Sequence, residues 1–247
     1  MSAPGRSTTR LAIAVLAGVA LGSTVALAIG LRPFFAARPT LPPPPAIIAE
    51  RGELPTKVVA FEARVDGRLV GSGFLLELPG GDVIGVTTAH SLGPDIFHPV
   101  TYTPAGRDES VAQFDELYAP LGQPRTGADL TIDYVLMRPR SRPDPSLVLQ
   151  PDPRGAPQPG ERVLMYSGLG DGQGGQQVLP GTVESVDEDG AWIRMDDVFD
   201  PGLMSGSPVL SQHTGKVVGM IIVMNWIPGT LRIGVNPVKA IVEAARP

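Results

Sequence analysis

The chain has 247 residues, of which 43% are hydrophobic and 18% charged, with 30 glycines, 27 prolines and a formal net charge of −5. This length holds one domain of up to about 200 residues, or two packed halves of about 100, and the glycine and proline content favours short strands and turns over long helices. The acidic balance and the lack of a basic run exclude an electrostatic footprint for nucleic acid, and the absence of cysteine excludes disulfides, thiolate metal sites and cysteine catalysis.

Residues 1–10 contain Arg6 and Arg10 and no acidic residue, and Leu11 to Leu31 follow as an uncharged run of 21 residues. At 1.5 Å per residue that run can cross a hydrocarbon core of about 30 Å. The flanking arginines predict a cytoplasmic N-terminus, a transmembrane anchor and an exported remainder. A cleaved signal peptide, with Ala26-Leu27-Ala28 as its processing site, is the alternative; the remainder is exported in either case. Residues 32–54 read as a linker. Its stretch from Pro39 to Pro45 is expected to run as an extended polyproline spacer holding the domain off the membrane, with a proline-recognition ligand as the other reading.

From residue 55 to 137 the pattern changes to short runs rich in Val, Ile, Leu and Phe: KVVAFEARV, RLVGSGFLLEL, DVIGVTTAH, SVAQFDELY and TIDYVLM. These predict antiparallel strands of a first barrel, with Asp66-Gly67 as a two-residue hairpin turn and Gly80-Gly81 as the next turn. Residues 138–159 are rich in proline, lack periodicity and read as a connection. Residues 160–235 repeat the style of the first half in ERVLMYSGL, QVLPGTVESV, GAWIRMD, SPVLS, KVVGMIIVM and TLRIGV, a second barrel of six strands. Asn236-Pro237 then offers an N-cap and a first-turn proline for a C-terminal helix over 236–246. An all-β protein of two six-stranded antiparallel barrels uses the whole length, with no residues left for an appended binding domain.

Three segments carry candidate chemistry. Ser205 sits between glycines in the loop Pro201-Gly202-Leu203-Met204-Ser205-Gly206-Ser207-Pro208, ahead of an apolar strand. Bare backbone there suits a nucleophile, since Gly206 would let a substrate carbonyl approach and a tight turn can aim consecutive N–H groups at a developing oxyanion. By itself the string also fits an ordinary β-turn. Upstream lie Thr87-Thr88-Ala89-His90-Ser91 at a strand end and Asp133-Tyr134-Val135-Leu136-Met137, so that His, Asp and Ser follow one another in the order of one known serine-peptidase arrangement. His90 alone also reads as a polar strand end. Asp129 is the rival to Asp133, which is preferred because an apolar strand follows it; His98 falls in a proline-flanked loop and His213 in a hairpin turn.

Taken together, GSGFLLE with GVTTAHSL, DYVLM, and SGSPVLSQHTGKVVGM make the chain resemble a trypsin-like (chymotrypsin-fold) serine peptidase, of the bacterial HtrA-like kind and without a PDZ domain. The similarity covers about residues 55 to 245, including NPVKAIVEAA at the family's terminal helix. It implies Ser205 as nucleophile, His90 as base, Asp133 as the carboxylate that orients the histidine, and the backbone N–H groups of Leu203 and Ser205 as oxyanion donors. It also implies that Ile222, Val223 and Met224 border the primary specificity pocket. No cofactor or metal is implied, and the partner is a protein or peptide substrate. The chain departs from the family at Leu203, where glycine is usual, and at Met204, often aspartate. Leucine resists positive φ, so the Leu203 N–H is expected to turn away and leave a slow peptidase, unless Gly202 takes its place. A catalytically silent barrel that binds peptides or partner proteins is the second reading. A plain cell-envelope β-barrel is the third.

Overall fold

The computed structural model describes residues 40–93, 97–125, 127–170 and 176–246. The run from Leu11 to Leu31 lies outside them; among the described residues no helix is long and apolar enough to cross a membrane. Residues from Leu41 to the C-terminus form one unit.

The first barrel is built from β1 (Ala60–Val65), β2 (Arg68–Glu77), β3 (Val83–Thr87), β4 (Val100–Thr103), β5 (Ala112–Leu117) and β6 (Val135–Pro139). It closes in the order β1-β4-β5-β6-β3-β2, with β2 returning to β1. Period-2 patterning places its side chains: in β5, Ala112 and Phe114 are buried whereas Gln113 and Asp115 face water. The turn between β1 and β2 forms as the Asp-Gly pair demands, with φ of 49° at Asp66 and 75° at Gly67, the positive pair of a hairpin turn that matches the strands' twist. The strand missing from the sequence reading is β4. A single turn of helix, α1 (Ala89–Leu92), follows β3 directly.

The connection is more ordered than its proline content suggests. Asp144 caps a 3-10 turn (Pro145–Leu147) by accepting from Ser146 N at 2.9 Å, and β7 (Val148–Leu149) then adds in parallel to β2. Beyond it a buried ion cluster ties the connection to the second barrel. Arg154 donates from Nη2 to Asp152 Oδ2 (2.7 Å) and Glu161 Oε1 (2.9 Å), while Thr214 Oγ1 and Ser211 Oγ donate to the same two carboxylates at 2.6 and 2.5 Å. Buried carboxylates are tolerable only when paired and hydrogen-bonded in this way. Burial works to raise the Asp152 pKa, yet these donors hold it below the usual carboxylate range.

The second barrel comprises β8 (Arg162–Gly170), β9 (Gln176–Asp187), β10 (Gly190–Met195), β11 (Pro208–Ser211), β12 (Val217–Ile227) and β13 (Thr230–Pro237), closed in the order β10-β13-β12-β11-β8-β9. Helix α2 (Val238–Ala244) ends the described chain, with Pro237 at its N-cap. Asn236, expected as the cap, is instead buried in β13 and donates from Nδ2 to Thr131 O at 3.1 Å. Each barrel has its own apolar core, and a third cluster joins them through Phe74, Leu76 and Val86 of the first and Leu210, Met220 and Ile222 of the second.

The described part of the expected spacer lies against the second barrel rather than free of it. Pro43 O occupies the place of a side chain on Gly160, Gly52 N–H donates to His213 O at 3.0 Å, and His213 Nε2–H donates to Ala49 O at 3.0 Å. A polyproline backbone has unpaired carbonyls, and glycines on the barrel surface let it approach closely.

Candidate active site

His90 and Asp133 are brought together at the mouth of the first barrel. β3 delivers His90 into α1, and Asp133 stands in the loop two residues before β6, the strand hydrogen-bonded to β3. His90 Nδ1 lies 2.7 Å from Asp133 Oδ2, and the same carboxylate accepts from the backbone N–H of His90 (3.1 Å) and of Arg125 (3.1 Å). The Asp133 side chain has 0% exposure and the His90 side chain 36%. Burial works to raise the Asp133 pKa, but the His90 ring and the two backbone donors outweigh it and hold the carboxyl below its ordinary value. An ionised carboxylate only accepts, so it fixes the proton on Nδ1 and leaves the lone pair on Nε2.

Two of the three rival residues, Asp129 and His213, have other partners. Asp129 Oδ1 accepts from Thr131 N (2.8 Å) and Thr131 Oγ1 (2.6 Å), closing its own turn, and His213 binds the N-terminal segment. His98 is exposed.

Ser205 comes from the second barrel and is docked onto β2 of the first. Ser72 N–H donates to Ser205 O (2.8 Å), Ser72 Oγ donates to Leu203 O (3.2 Å), and Ser72 O accepts from Thr87 Oγ1 (2.7 Å). A side chain on the neighbouring Gly71 would strike Ser91 Oγ at 2.8 Å and Ser205 O at 3.1 Å, so the serine loop and α1 flank the same glycine. Gly206 has a φ of 92°, and a Cβ there would lie 2.0 Å from Ser72 O. The close approach that requires this glycine is therefore that of β2, not that of a substrate carbonyl. Ser72 is the positioning residue that the sequence reading missed. Its signal was a Gly-Ser-Gly inside a strand, where glycine marks a close backbone contact.

Among the described residues Ser205 Oγ has one hydrogen-bond partner, Ile222 O at 3.4 Å. The loop's other amides are used: Met204 N–H donates to Pro201 O and Ser207 N–H to Met204 O within the loop, Gly202 N–H to Asp200 Oδ1, and Gly206 N–H to Ile221 O of β12. The N–H groups of Leu203 and Ser205 have no acceptor among the described residues. Leu203 takes a φ of 63°, against the expectation that leucine would refuse it. The cost of that conformation is about 1–2 kcal/mol. It is tolerated because Ser72 holds the Leu203 carbonyl while the side chain stays half in water, 51% exposed.

The three residues expected at the specificity pocket separate. Ile222 is a core residue, 2% exposed, that presents its carbonyl to Ser205; Val223 is half-buried against the shared core; Met224 is 50% exposed. Among the described residues no cluster of three or more His, Asp or Glu side chains is placed to hold a metal ion.

Residues 71–220 match the trypsin-like peptidase domain family. A search of curated proteins finds no match. Among solved structures the chain is similar to the apo crystal structure of the MamO protease domain from Magnetospirillum magneticum, at 19% identity and a TM-score of 0.49, over 75% of this chain and 95% of that one.

Proposed function

We propose that this chain, which belongs to the trypsin-like peptidase domain family, is a serine endopeptidase that cuts peptide bonds with Ser205, His90 and Asp133. The observation that carries the reading is the 2.7 Å pairing of His90 Nδ1 with the fully buried Asp133. In the proposed reaction Ser205 Oγ turns from Ile222 O to His90 Nε2 and attacks the substrate carbonyl as the imidazole takes its proton. Asp133 steadies the resulting imidazolium. The oxyanion of the tetrahedral intermediate is met by the N–H groups of Leu203 and Ser205, which stand without other acceptors in the described chain. His90 then returns the proton to the leaving amine, and water repeats the sequence on the acyl-enzyme. No charged group stands at Ile222, Val223 or Met224, so an apolar residue is preferred before the cut, at roughly 0.8 kcal/mol per buried CH₂.

One observation favours a second reading, a silent barrel that only binds peptides: Ser205 Oγ is directed to Ile222 O. Cleavage of a peptide library separates the two. The peptidase reading expects cuts after Leu or Phe that vanish in Ser205→Ala; no cleavage, or cleavage that survives the substitution, contradicts it. We further propose that Leu11 to Leu31 anchor an exported domain. Carbonate-resistant membrane fractionation of the full chain supports this, and a mature protein starting near Ile29 would replace the anchor with a cleaved signal peptide.

A further inference from the structure

Asp133 lies on a segment whose two flanks are held by different barrels. Downstream its own barrel fixes it: Gln123 N–H donates to Ile132 O (2.9 Å), Gly122 N–H donates to Tyr134 O (3.1 Å), and β6 begins at Val135. Upstream it is held by the second barrel. Leu130 N–H donates to Asp189 O (2.7 Å) in the turn between β9 and β10, and a side chain at Gly190 or Gly234 would strike Leu130 Cδ1 at 2.8 or 2.9 Å. The last of these contacts before Asp133 is at Thr131 O, which accepts from Asn236 Nδ2 at 3.1 Å. Alternation along β13 sends Leu231, Ile233 and Val235 into the core of the second barrel and so turns Asn236 outwards, to the first. The residue is nevertheless fully buried, and asparagine is a poor strand former. Its Oδ1 is buried too, with no hydrogen-bond partner among the described residues. An unshared buried amide oxygen costs stability that leucine, with the same branched skeleton, would not. The fold alone therefore gives no reason for an amide at this position, whereas its donor to Thr131 O, two residues before Asp133, does.

From this geometry we infer that Asn236 is a positioning residue for the His90–Asp133 pair: by holding Thr131 O it sets the Asp133 carboxylate against His90 Nδ1, at a cost in stability. The inference rests on the peptidase reading, in which that pair takes the proton of Ser205. It makes the dependence of the two barrels mutual. Ser72 of the first barrel holds the Leu203 carbonyl beside Ser205, and Asn236 of the second holds the Thr131 carbonyl beside Asp133. Without the amide donor Thr131 is free to move, and Asp133 moves with it about the start of β6. A misplacement of about 1 Å in a reacting group can cost about 10² in rate.

Asn236→Leu and Asn236→Gln test this on the full-length chain. The readouts are the urea midpoint, kcat and KM for a peptide that the unaltered chain cuts, and the proton NMR signal of His90 Nδ1–H, identified by its loss in His90→Ala. Asn236→Leu is expected to keep or raise the midpoint, to lower kcat by about ten- to a hundredfold with KM changed less than about twofold, and to lose the His90 signal to exchange with water. Asn236→Gln carries the same amide on a stem one carbon longer and should recover part of both kcat and the signal. Unchanged kcat and signal in Asn236→Leu overturn the inference and leave the peptidase reading standing. So does a midpoint that falls in step with kcat, since the contact would then serve the fold alone, and so does a Gln variant no better than Leu. If the unaltered chain cuts no peptide, the peptidase reading falls, and the His90 signal still decides whether Asn236 places the pair.

Discussion

The two barrels contribute unequal halves of the site. The first supplies His90 and Asp133 already paired, with a buried carboxylate that takes three hydrogen bonds. The second supplies Ser205 on a loop whose side-chain oxygen is 3.4 Å from a strand carbonyl and whose Leu203 holds a costly backbone conformation. The pairing proposed for proton transfer is thus prearranged by regular structure, since His90 and Asp133 follow from the pairing of β3 with β6. The proposed nucleophile depends on a strained loop clamped by Ser72 of the other barrel. Order on one side and strain on the other predict different responses to substitution.

The largest effect is common to both halves. Ser205→Ala and His90→Ala should each lower kcat by about 10⁶, and the double variant should lose little more, because the pair acts as one unit. Additive losses in steady-state kinetics would show that the two barrels do not share one reaction. Within the first barrel, Asp133→Asn should cost about 10⁴ in kcat, since an amide can donate to Nδ1 and leave the wrong nitrogen protonated.

In the second barrel the loop is tested at Leu203. Leu203→Pro locks φ near −65° and removes the N–H, and it should lose one oxyanion donor, about 3 kcal/mol or 10²–10³ in kcat. Leu203→Gly should change kcat less than tenfold, because the native backbone already occupies the region that glycine would open. A large gain in Leu203→Gly would mean that leucine keeps the native loop from presenting both donors.

The smallest effect is on stability against acid. The folded pKa values of Asp133 and Asp152 are depressed. Their contribution is therefore present above the unfolded carboxylate range near 4 and is lost as pH falls through that range towards the folded values. Urea midpoints should drop over that window, and Asp133→Asn should flatten the slope. A midpoint that rises on acidification would contradict the pairing.

Much of this was legible in the sequence where one local rule governs the outcome. Asp66-Gly67 specified its turn, alternation gave most strands, and an apolar strand beginning just after Asp133 distinguished it from Asp129. What was not legible depends on contacts distant in sequence. β4 is only four residues long between a proline and a turn, too short for alternation to register. Asn236 looks like a cap until Thr131 O is placed beside it. The positive φ of Leu203 and the role of Gly206 both come from Ser72, more than a hundred residues away in the chain. Side-chain preference alone predicts the opposite for Leu203.

The central claim is that the serine of one barrel is activated by the histidine of the other. Phosphonylation with a fluorophosphonate, mapped by mass spectrometry on the full-length chain, tests it most directly. The account predicts a stoichiometric adduct on Ser205 that His90→Ala nearly abolishes. An unlabelled Ser205, or one labelled equally fast without His90, would contradict it.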